Sequence, residues 1–354
     1  MNGAAQIAMR SIAKVVTRVA ALIAVQSPLP LRVSTVTAAL SALIGMTLIA
    51  PCNAQTYPNK PIRLIVPLAA GSAVDNAARI LMLRVAQDLG TSVAIENQPG
   101  ASGLIGAERV AHAAPDGYTL GGFNDSIMTM LPNLQPPPSW DILRDFEPIT
   151  LVATIDWGLV VGANSTLRNA ADLIAAARST PGRLTFGSGG TGSPQHIAMA
   201  LFASQAGIDL VHVPYKGATQ AAVGVAGDEV VSALQGIATV SSLLRAGKLR
   251  LIGVATTARM SQFPEVPTIA ESGLSGFEFN SWFALMAPAG TARPIIKTVY
   301  DAVLRALADP DTREKLAAQG LSVRGMPPAE LSSATRVQLQ RYADLMRQVG
   351  ISAR

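Results

Sequence analysis

The sequence is poor in cysteine, in histidine and in charge. Only one of its 354 residues is Cys and three are His, and charged residues make up 14%, against roughly 25% in average globular domains. Cys52 has no second cysteine to form a disulfide with. The three histidines, His112, His196 and His212, show no metal-ligand spacing such as H-E-x-x-H. We therefore expect no disulfide, no metal site and no cofactor.

Acidic residues are missing from the first 54 positions, which hold four cations. An apolar run over 36–50 follows, and then Cys52-Asn53-Ala54, a small-residue cleavage pattern. We interpret residues 1–54 as an export leader cut after Ala54 and expect a periplasmic protein. A start codon downstream of Met1 and a lipid-modified Cys52 remain open alternatives.

The chain beyond the leader lacks a basic patch and lacks a long apolar run. It carries 24 Lys and Arg against 23 Asp and Glu, so no charge pattern suggests a nucleic-acid partner. No apolar run after position 55 approaches the roughly 20 residues that span a bilayer. With 49% apolar residues, this length is sufficient for two domains with buried sheets.

Short β-branched runs alternate with helical stretches, the pattern of βα units in a mainly parallel sheet. Predicted strands cover 63–66, 93–96, 118–122, 183–186, 209–213, 230–234 and 249–255. Predicted helices cover 73–89, 194–206, 219–227, 293–308, 311–319 and 328–348. The extended segments 147–161 and 277–286 interrupt this rhythm, and we interpret them as two crossings between lobes.

The pattern predicts an α/β protein with two doubly wound lobes, joined by two crossing strands with a ligand cleft between them. Lobe 1 would comprise 55–157 and 281–354, and lobe 2 would comprise 158–280. Ligands of such sheets bind outside the carboxyl ends of the strands. The loops that directly follow strands are therefore the candidates for a site.

Three such loops consist mostly of small residues, and each lies before a predicted helix. They are 67–72 (PLAAGS), 97–103 (NQPGASG) and 187–193 (GSGGTGS). Small residues let a ligand approach the backbone, and the free N–H groups of a helix's first turn carry partial positive charge. Such loops can bind a carboxylate without cationic side chains, although Ser and Thr at these positions also serve as ordinary helix caps.

Two enzyme alternatives arise at the third loop. Gly187, Gly189 and Gly192 match the dinucleotide fingerprint G-x-G-x-x-G, but Val213 and Pro214 stand where that fold needs a ribose-binding acid. His196 follows Ser193 closely, as a hydrolase pair would, but neither a G-x-S-x-G elbow nor an orienting acid is evident. We expect a binding protein and not an enzyme.

Seven segments together resemble the substrate-binding proteins of tripartite tricarboxylate transporters, also called the Bug family of extracytoplasmic receptors, over residues 57–350. These segments are 57–67, 96–103 (ENQPGASG), 114–120 (APDGYTL), 144–153 (RDFEPITLVA), 213–217 (VPYKG), 247–250 (GKLR) and 287–291 (APAGT). The resemblance implies a type II periplasmic-binding-protein-like fold that closes on small carboxylates. It also implies membrane transporter subunits as partners, and we expect a monomer.

The candidate ligand-binding residues combine the strand-end loops, the first crossing and the positions that the resemblance carries over. They are Leu68, Ala69, Gly71, Ser72, Ser126, Asp156, Trp157, Gly190, Thr191, Gly192, Ser193, His196, Tyr215 and Gln235. Relatives usually have Pro-Pro-Gly-Gly at 69–72 and often Pro near Asp156. The expected ligand is a small organic carboxylate, namely a di- or tricarboxylate, an amino acid or an aromatic acid, and these departures favour amino, hydroxylated or aromatic acids over a plain dicarboxylate. A sensor that docks on a membrane signalling protein is the alternative function.

Overall fold

The computed structural model describes residues 57–134 and 136–348. The predicted export leader and its cleavage site after Ala54 lie outside the described residues. No helix within the two described ranges is long and apolar enough to cross a membrane.

The first strands form a parallel sheet with helices between them. Its central strand, β1, pairs in parallel with β2 on one side and β3 on the other. Most of β1 is buried, which explains its continuous apolar sequence. The elements are β1 (Ile62–Val66), α1 (Ala73–Leu89), β2 (Val93–Asn97), α2 (Leu104–Ala111), β3 (Thr119–Phe123) and β4 (Phe146–Gly162), with short helical turns at Ala101–Gly103, Ser126–Met130 and Leu131–Asn133.

The middle of the chain repeats the βα pattern in a second sheet. Strand β5 pairs in parallel with β6 and β7. The elements are α3 (Ala170–Ser179), β5 (Thr185–Ser188), α4 (Pro194–Ala206), β6 (Val211–Pro214), α5 (Ala218–Ala226), β7 (Ser232–Gly236), α6 (Ile237–Arg245) and β8 (Leu249–Val254). Helices α3 and α6 were absent from the sequence prediction.

The chain then returns to the first sheet. The returning elements are β9 (Asn280–Pro288), α7 (Arg293–Ala308), α8 (Pro310–Ala317), β10 (Leu321–Met326) and α9 (Pro328–Gln348). Strand β10 was not predicted, because Ser322, Arg324 and Gly325 interrupt its apolar pattern.

Strand β4 belongs to both sheets. Its first part, from Phe146 to Asp156, pairs antiparallel with β9 and β10. Its last part, from Trp157 to Gly162, pairs antiparallel with β7 and β8. The second connection runs beside it, because Asn280 pairs with Asp156 at the start of β9. The domain limits at residues 157 and 281 stay a prediction.

A buried carboxyl group joins three elements of the first lobe. Asp125, which is 2% exposed, accepts hydrogen bonds from the backbone N–H of Trp282 in β9 and from the hydroxyl of Tyr342 in α9, both at 3.4 Å. Burial raises the pKa of Asp125 to about 7, although these hydrogen bonds oppose the shift. The folded protein therefore holds this proton in a pH range where the unfolded chain releases it.

We expect the substitution Asp125→Asn to stabilise the protein at high pH. Because the folded pKa lies above the unfolded value near 3.8, the wild-type residue destabilises the fold progressively as pH rises from about 4 to 7. Urea unfolding should give the variant an advantage of up to about 4 kcal/mol at pH 8 and none near pH 4. The exposed substitution Glu314→Gln is the control, and a variant no more stable at pH 8 would contradict this account.

Candidate functional site

Two serines begin the helices that follow β1 and β5, the equivalent strands of the two lobes. The Oγ atom of Ser72 accepts from the backbone N–H of Asp75 at 3.4 Å, at the start of α1. The Oγ atom of Ser193 accepts from the backbone N–H of His196 at 3.4 Å, at the start of α4. Both are N-caps, a position that serine favours. The two lobes thus present similar helix starts.

These helix starts border a cavity of about 50 Å³ between the lobes. Five predicted residues line it: Leu68, Ala69, Ser72, Trp157 and Ser193. The other lining residues are Pro67, Ala73, Val74, Gly100, Ser102, Gly103, Asn124, Ile155, Gly189, Pro194, Gln195, Lys216, Gly217, Ala218, Gly236, Thr239 and Ser281. Gly236 is the last residue of β7, and Gly217 and Ala218 lie shortly after the end of β6, so the strand-end rule could have found them. Ser281 gave no sequence signal.

Four hydroxyl groups of residues that line this inner cavity accept hydrogen bonds, and each still has its hydrogen to donate. In addition to Ser72 and Ser193, the hydroxyl of Thr239 accepts from the backbone N–H of Ala73 at 2.9 Å. The hydroxyl of Ser281 accepts from Nε1 of Trp157 at 2.8 Å. Within the described ranges, no acceptor takes the proton of any of the four. The cavity is therefore rich in donors for a ligand oxygen.

Four helices begin at the inner cavity. Helices α1 and α4 start at their serine caps, while α5 and α6 start after Gly217 and Gly236, which have no side chain to cap the first turn. The first N–H groups of a helix lack partners within the helix and carry partial positive charge. No Asp or Glu is among the described residues that line the cavity. Its electrostatic environment therefore favours an anion.

The alternation of β4 separates Trp157 from Asp156. Trp157 and Ile155 face the inner cavity, and the Trp157 ring packs edge-to-face on Phe279 with centroids 5.0 Å apart. Asp156 lies on the opposite face of the strand and does not line the cavity. Its backbone N–H donates to the carbonyl of Gly320 at 2.9 Å. Burial raises the pKa of the Asp156 carboxyl to about 6.

Two further candidates lie behind the cavity wall. The Gly71 N–H donates to Oδ2 of Asp75 at 2.8 Å, which fixes the first loop. Burial opposes the ionisation of Asp75, but hydrogen bonds from Arg79 and from Gly71 keep its pKa below the usual value. Gln235 is fully buried; it accepts from Gln195 at 3.3 Å and donates to the carbonyl of Ala218 at 3.2 Å. Gly71 and Gln235 therefore support lining residues.

The remaining candidates lie around a larger outer groove of about 970 Å³. Gly190, Thr191, His196 and Tyr215 line this groove. Its other lining residues are Pro99, Gly100, Ala101, Ser102, Leu104, Leu131, Leu134, Gly189, His212 and Lys216. Gly100, Ser102, Gly189 and Lys216 line both spaces, so the groove adjoins the inner cavity.

Hydrogen bonds between the lobes close the cleft. Ser126 donates to the carbonyl of Gly192 at 3.0 Å, and Ser102 donates to the carbonyl of Thr191 at 2.9 Å. On the other side, Thr219 donates to the carbonyl of Ala70 at 3.1 Å. These contacts show a closed arrangement, in which Ser126 and Gly192 act as a contact between lobes.

The backbones of the two lobes also approach closely. A Cβ atom at Gly217 would lie 3.0 Å from the Cβ atom of Ala69 across the cleft. A larger residue at position 217 would therefore push the lobes apart.

Two stacked histidine rings hold the third loop. The rings of His196 and His212 lie 3.9 Å apart and nearly parallel. Nδ1 of His196 accepts from the Gly192 N–H at 3.2 Å, and Nε2 of His212 lies 2.6 Å from Oγ of Ser188. Burial and the neighbouring His212 lower the pKa of His196 to about 4. No carboxylate in the described part of the chain hydrogen-bonds to either ring.

We expect the His196 contact to weaken in acid. Its folded pKa lies below the unfolded value of 6.5, so its contribution is present above about pH 6.5 and is lost as pH falls towards 4. Between pH 7 and 4, wild-type protein should lose about 2 kcal/mol more unfolding free energy than His196→Gln, after allowance for solvent screening. Exposed His112→Gln is the control; equal losses in wild type and His196→Gln would refute the assignment.

Comparison with known proteins connects this geometry to a family. The model of the tripartite tricarboxylate transporter family receptor matches residues 77–351. A protein from the tcbD-tcbE intergenic region of Pseudomonas sp. strain P51 is 35% identical over 84% of this chain and 89% of its own length. BugT of Bordetella pertussis is 33% identical over 85% of this chain and 93% of its own length.

Solved structures agree in fold. Periplasmic binding protein BugD is 28% identical, with a TM-score of 0.80 over 84% of this chain and all of its own length (100%). Rpa4515 of R. palustris, solved with adipate, is 30% identical, with a TM-score of 0.81 over 84% of this chain and 99% of that one. MatC of Rhodopseudomonas palustris, solved with malate, is 29% identical, with a TM-score of 0.77 over 82% and 99%.

The neighbours confirm the expected α/β, periplasmic-binding-protein-like fold. They also confirm the resemblance inferred from the seven sequence segments. This chain belongs to the tripartite tricarboxylate transporter receptor family of periplasmic solute-binding proteins.

Proposed function

We propose that this receptor closes its two lobes over a small carboxylate in the periplasm and presents it to the membrane subunits of a tripartite tricarboxylate-type transporter. The observation that supports this proposal most strongly is the composition of the inner cavity. Four helix starts and four hydroxyl donors line it, and none of the described residues that line it is acidic. A carboxylate offers only acceptor oxygens when ionised. It therefore complements this lining.

The backbone supplies much of the proposed binding. Gly217 and Gly236 leave the first N–H groups of α5 and α6 uncapped by side chains, and a carboxylate at such helix starts is stabilised by the N–H groups and the helix dipole together. The hydroxyls of Ser72 and Ser193 add donors from the two opposite lobes. Binding would thus join the lobes and favour the closed arrangement.

The ligands of structural relatives support an organic acid. Rpa4515 was solved with adipate and MatC with malate, both dicarboxylates. Selection of a ligand's amino group would need an acid beside the ligand, but Asp156 lies away from the inner cavity. We therefore favour a carboxylate without an amino group. Trp157 is held by Ser281 and Phe279, so it forms a fixed wall of the inner cavity.

We further propose that the protein acts as a receptor and not as an enzyme. The Nδ1 atom of His196 accepts the Gly192 N–H, so the ring has a structural task. The sensor alternative uses the same binding site and differs only in the membrane partner. Affinity capture of a membrane signalling protein, and not of transporter subunits, would favour it.

Export with cleavage after Ala54 is part of the same proposal. Expression of the full chain with its own leader should place the protein in the periplasmic fraction. Amino-terminal sequencing should then begin at Gln55. A blocked, lipid-modified Cys52 or a cytoplasmic product would contradict the proposed processing, and gel filtration of the same sample tests the expected monomer.

Removing a serine cap at the inner cavity should weaken ligand binding. We expect Ser72→Ala or Ser193→Ala to reduce the affinity for the best carboxylate of a titrated panel about tenfold, because one charge-assisted hydrogen bond is worth about 1.5 kcal/mol or more. Isothermal titration calorimetry measures this change.

The matched control is Asn169→Ala. Asn169 caps α3 by accepting from the Asp172 N–H at 2.9 Å, away from the inner cavity. Its loss should cost about 1 kcal/mol of stability, as for any cap, but no affinity. Failure of wild-type protein to bind any organic acid would refute the proposed function. Unchanged affinity in both serine variants would refute the assigned site.

A further inference from the structure

We propose that Lys216 selects ligands that carry a second negative charge, and that the distal part of the ligand extends from the inner cavity into the outer groove. This inference rests on the proposed capture of a carboxylate. It adds which carboxylates are preferred and assigns the outer groove as a second part of the binding site.

The inner cavity is too small for an extended acid. Its volume of about 50 Å³ is on the order of a few water molecules. This space accommodates one carboxylate group with a short link. In this closed arrangement, the remainder of a longer ligand would extend out of the inner cavity.

The two spaces share their boundary. Gly100 and Ser102 line both of them from lobe 1, and Gly189 and Lys216 line both from lobe 2. Two of these four residues are glycines, so little side-chain volume stands at this boundary. In the proposed binding mode, a chain of methylene groups begins at the inner helix starts and crosses this boundary beside Lys216.

Lys216 is available for a ligand charge. Its side chain is exposed, and among the described residues no carboxylate lies within salt-bridge distance of its ammonium group. It is also the only Lys or Arg among the described residues that line either space, and neither lining contains Asp or Glu. A second carboxylate at the boundary would meet one cation and no competing anion.

The other walls of the outer groove favour the body of the ligand. Leu131 and Leu134 give one apolar side, and the stacked His196 and His212 rings give another. Burial lowers the pKa of both histidines, so near pH 7 their rings are neutral. The permanent positive charge of the groove is therefore that of Lys216.

The experiment compares acids that differ only at the distal end. Straight-chain monocarboxylates are titrated by calorimetry against α,ω-dicarboxylates of equal carbon number, from succinate to suberate, into wild-type protein and into Lys216→Met, Lys216→Arg and Lys216→Glu. Lys248→Met is the matched control, because Lys248 is exposed and lines neither space.

We expect wild-type protein to bind the best dicarboxylate about fivefold more tightly than its matched monocarboxylate, the upper range for an exposed ion pair. Lys216→Met should weaken dicarboxylate binding more than monocarboxylate binding and so bring the ratio of the two affinities close to one, and Lys216→Glu should invert it. Lys216→Arg and Lys248→Met should preserve it. The ratio in wild-type protein should also fall as the salt concentration rises.

Different results identify which claim fails. If acids bind but Lys216→Met prefers dicarboxylates as strongly as wild-type protein does, the proposed role of Lys216 is wrong and carboxylate capture stands. The same conclusion follows if wild-type protein has no preference for dicarboxylates. If monocarboxylates with long chains bind as tightly as dicarboxylates, the outer groove takes apolar chains instead. If no acid binds to wild-type protein, the proposed function itself fails.

Discussion

Strand β4 is the element on which the two-lobed architecture depends. It hydrogen-bonds to β9 and β10 in one lobe and to β7 and β8 in the other, so the two sheets share a continuous backbone. The change of sheet occurs at Asp156 and Trp157, directly beside the inner cavity. The floor of the site is therefore part of the most strongly paired strand of the fold, while the loops that close over it come from the two separate βα patterns.

The sequence was sufficient to predict most of the βα units and the starts of α1, α4 and α5, because β-branched runs and capping residues are local signals. Helices α3 and α6 were missed. Strand β10 escaped prediction because its pairing with β4 compensates for a weak apolar pattern. Thr239 and Ser281 were missed for another reason. Each becomes a site residue only through a contact distant in the chain, from Ala73 and from Trp157, and no local pattern encodes such a contact.

Asp156 shows that the position of a residue along the chain does not predict which face of a strand its side chain lies on. Its place in the first crossing was predicted, but its side of the strand depends on the register between β4 and its neighbours. In that register, Trp157 turns towards the inner cavity and Asp156 turns away. A shift of one residue would exchange the two side chains, and a carboxylate would then oppose an anionic ligand.

The contacts that close the cleft are neutral. Ser102, Ser126 and Thr219 each donate to a backbone carbonyl of the opposite lobe, and none of the ion pairs among the described residues joins the lobes. Mobile ions screen charges but have little effect on such hydrogen bonds. Any salt dependence of closure therefore comes from the charged ligand and not from these contacts between the lobes.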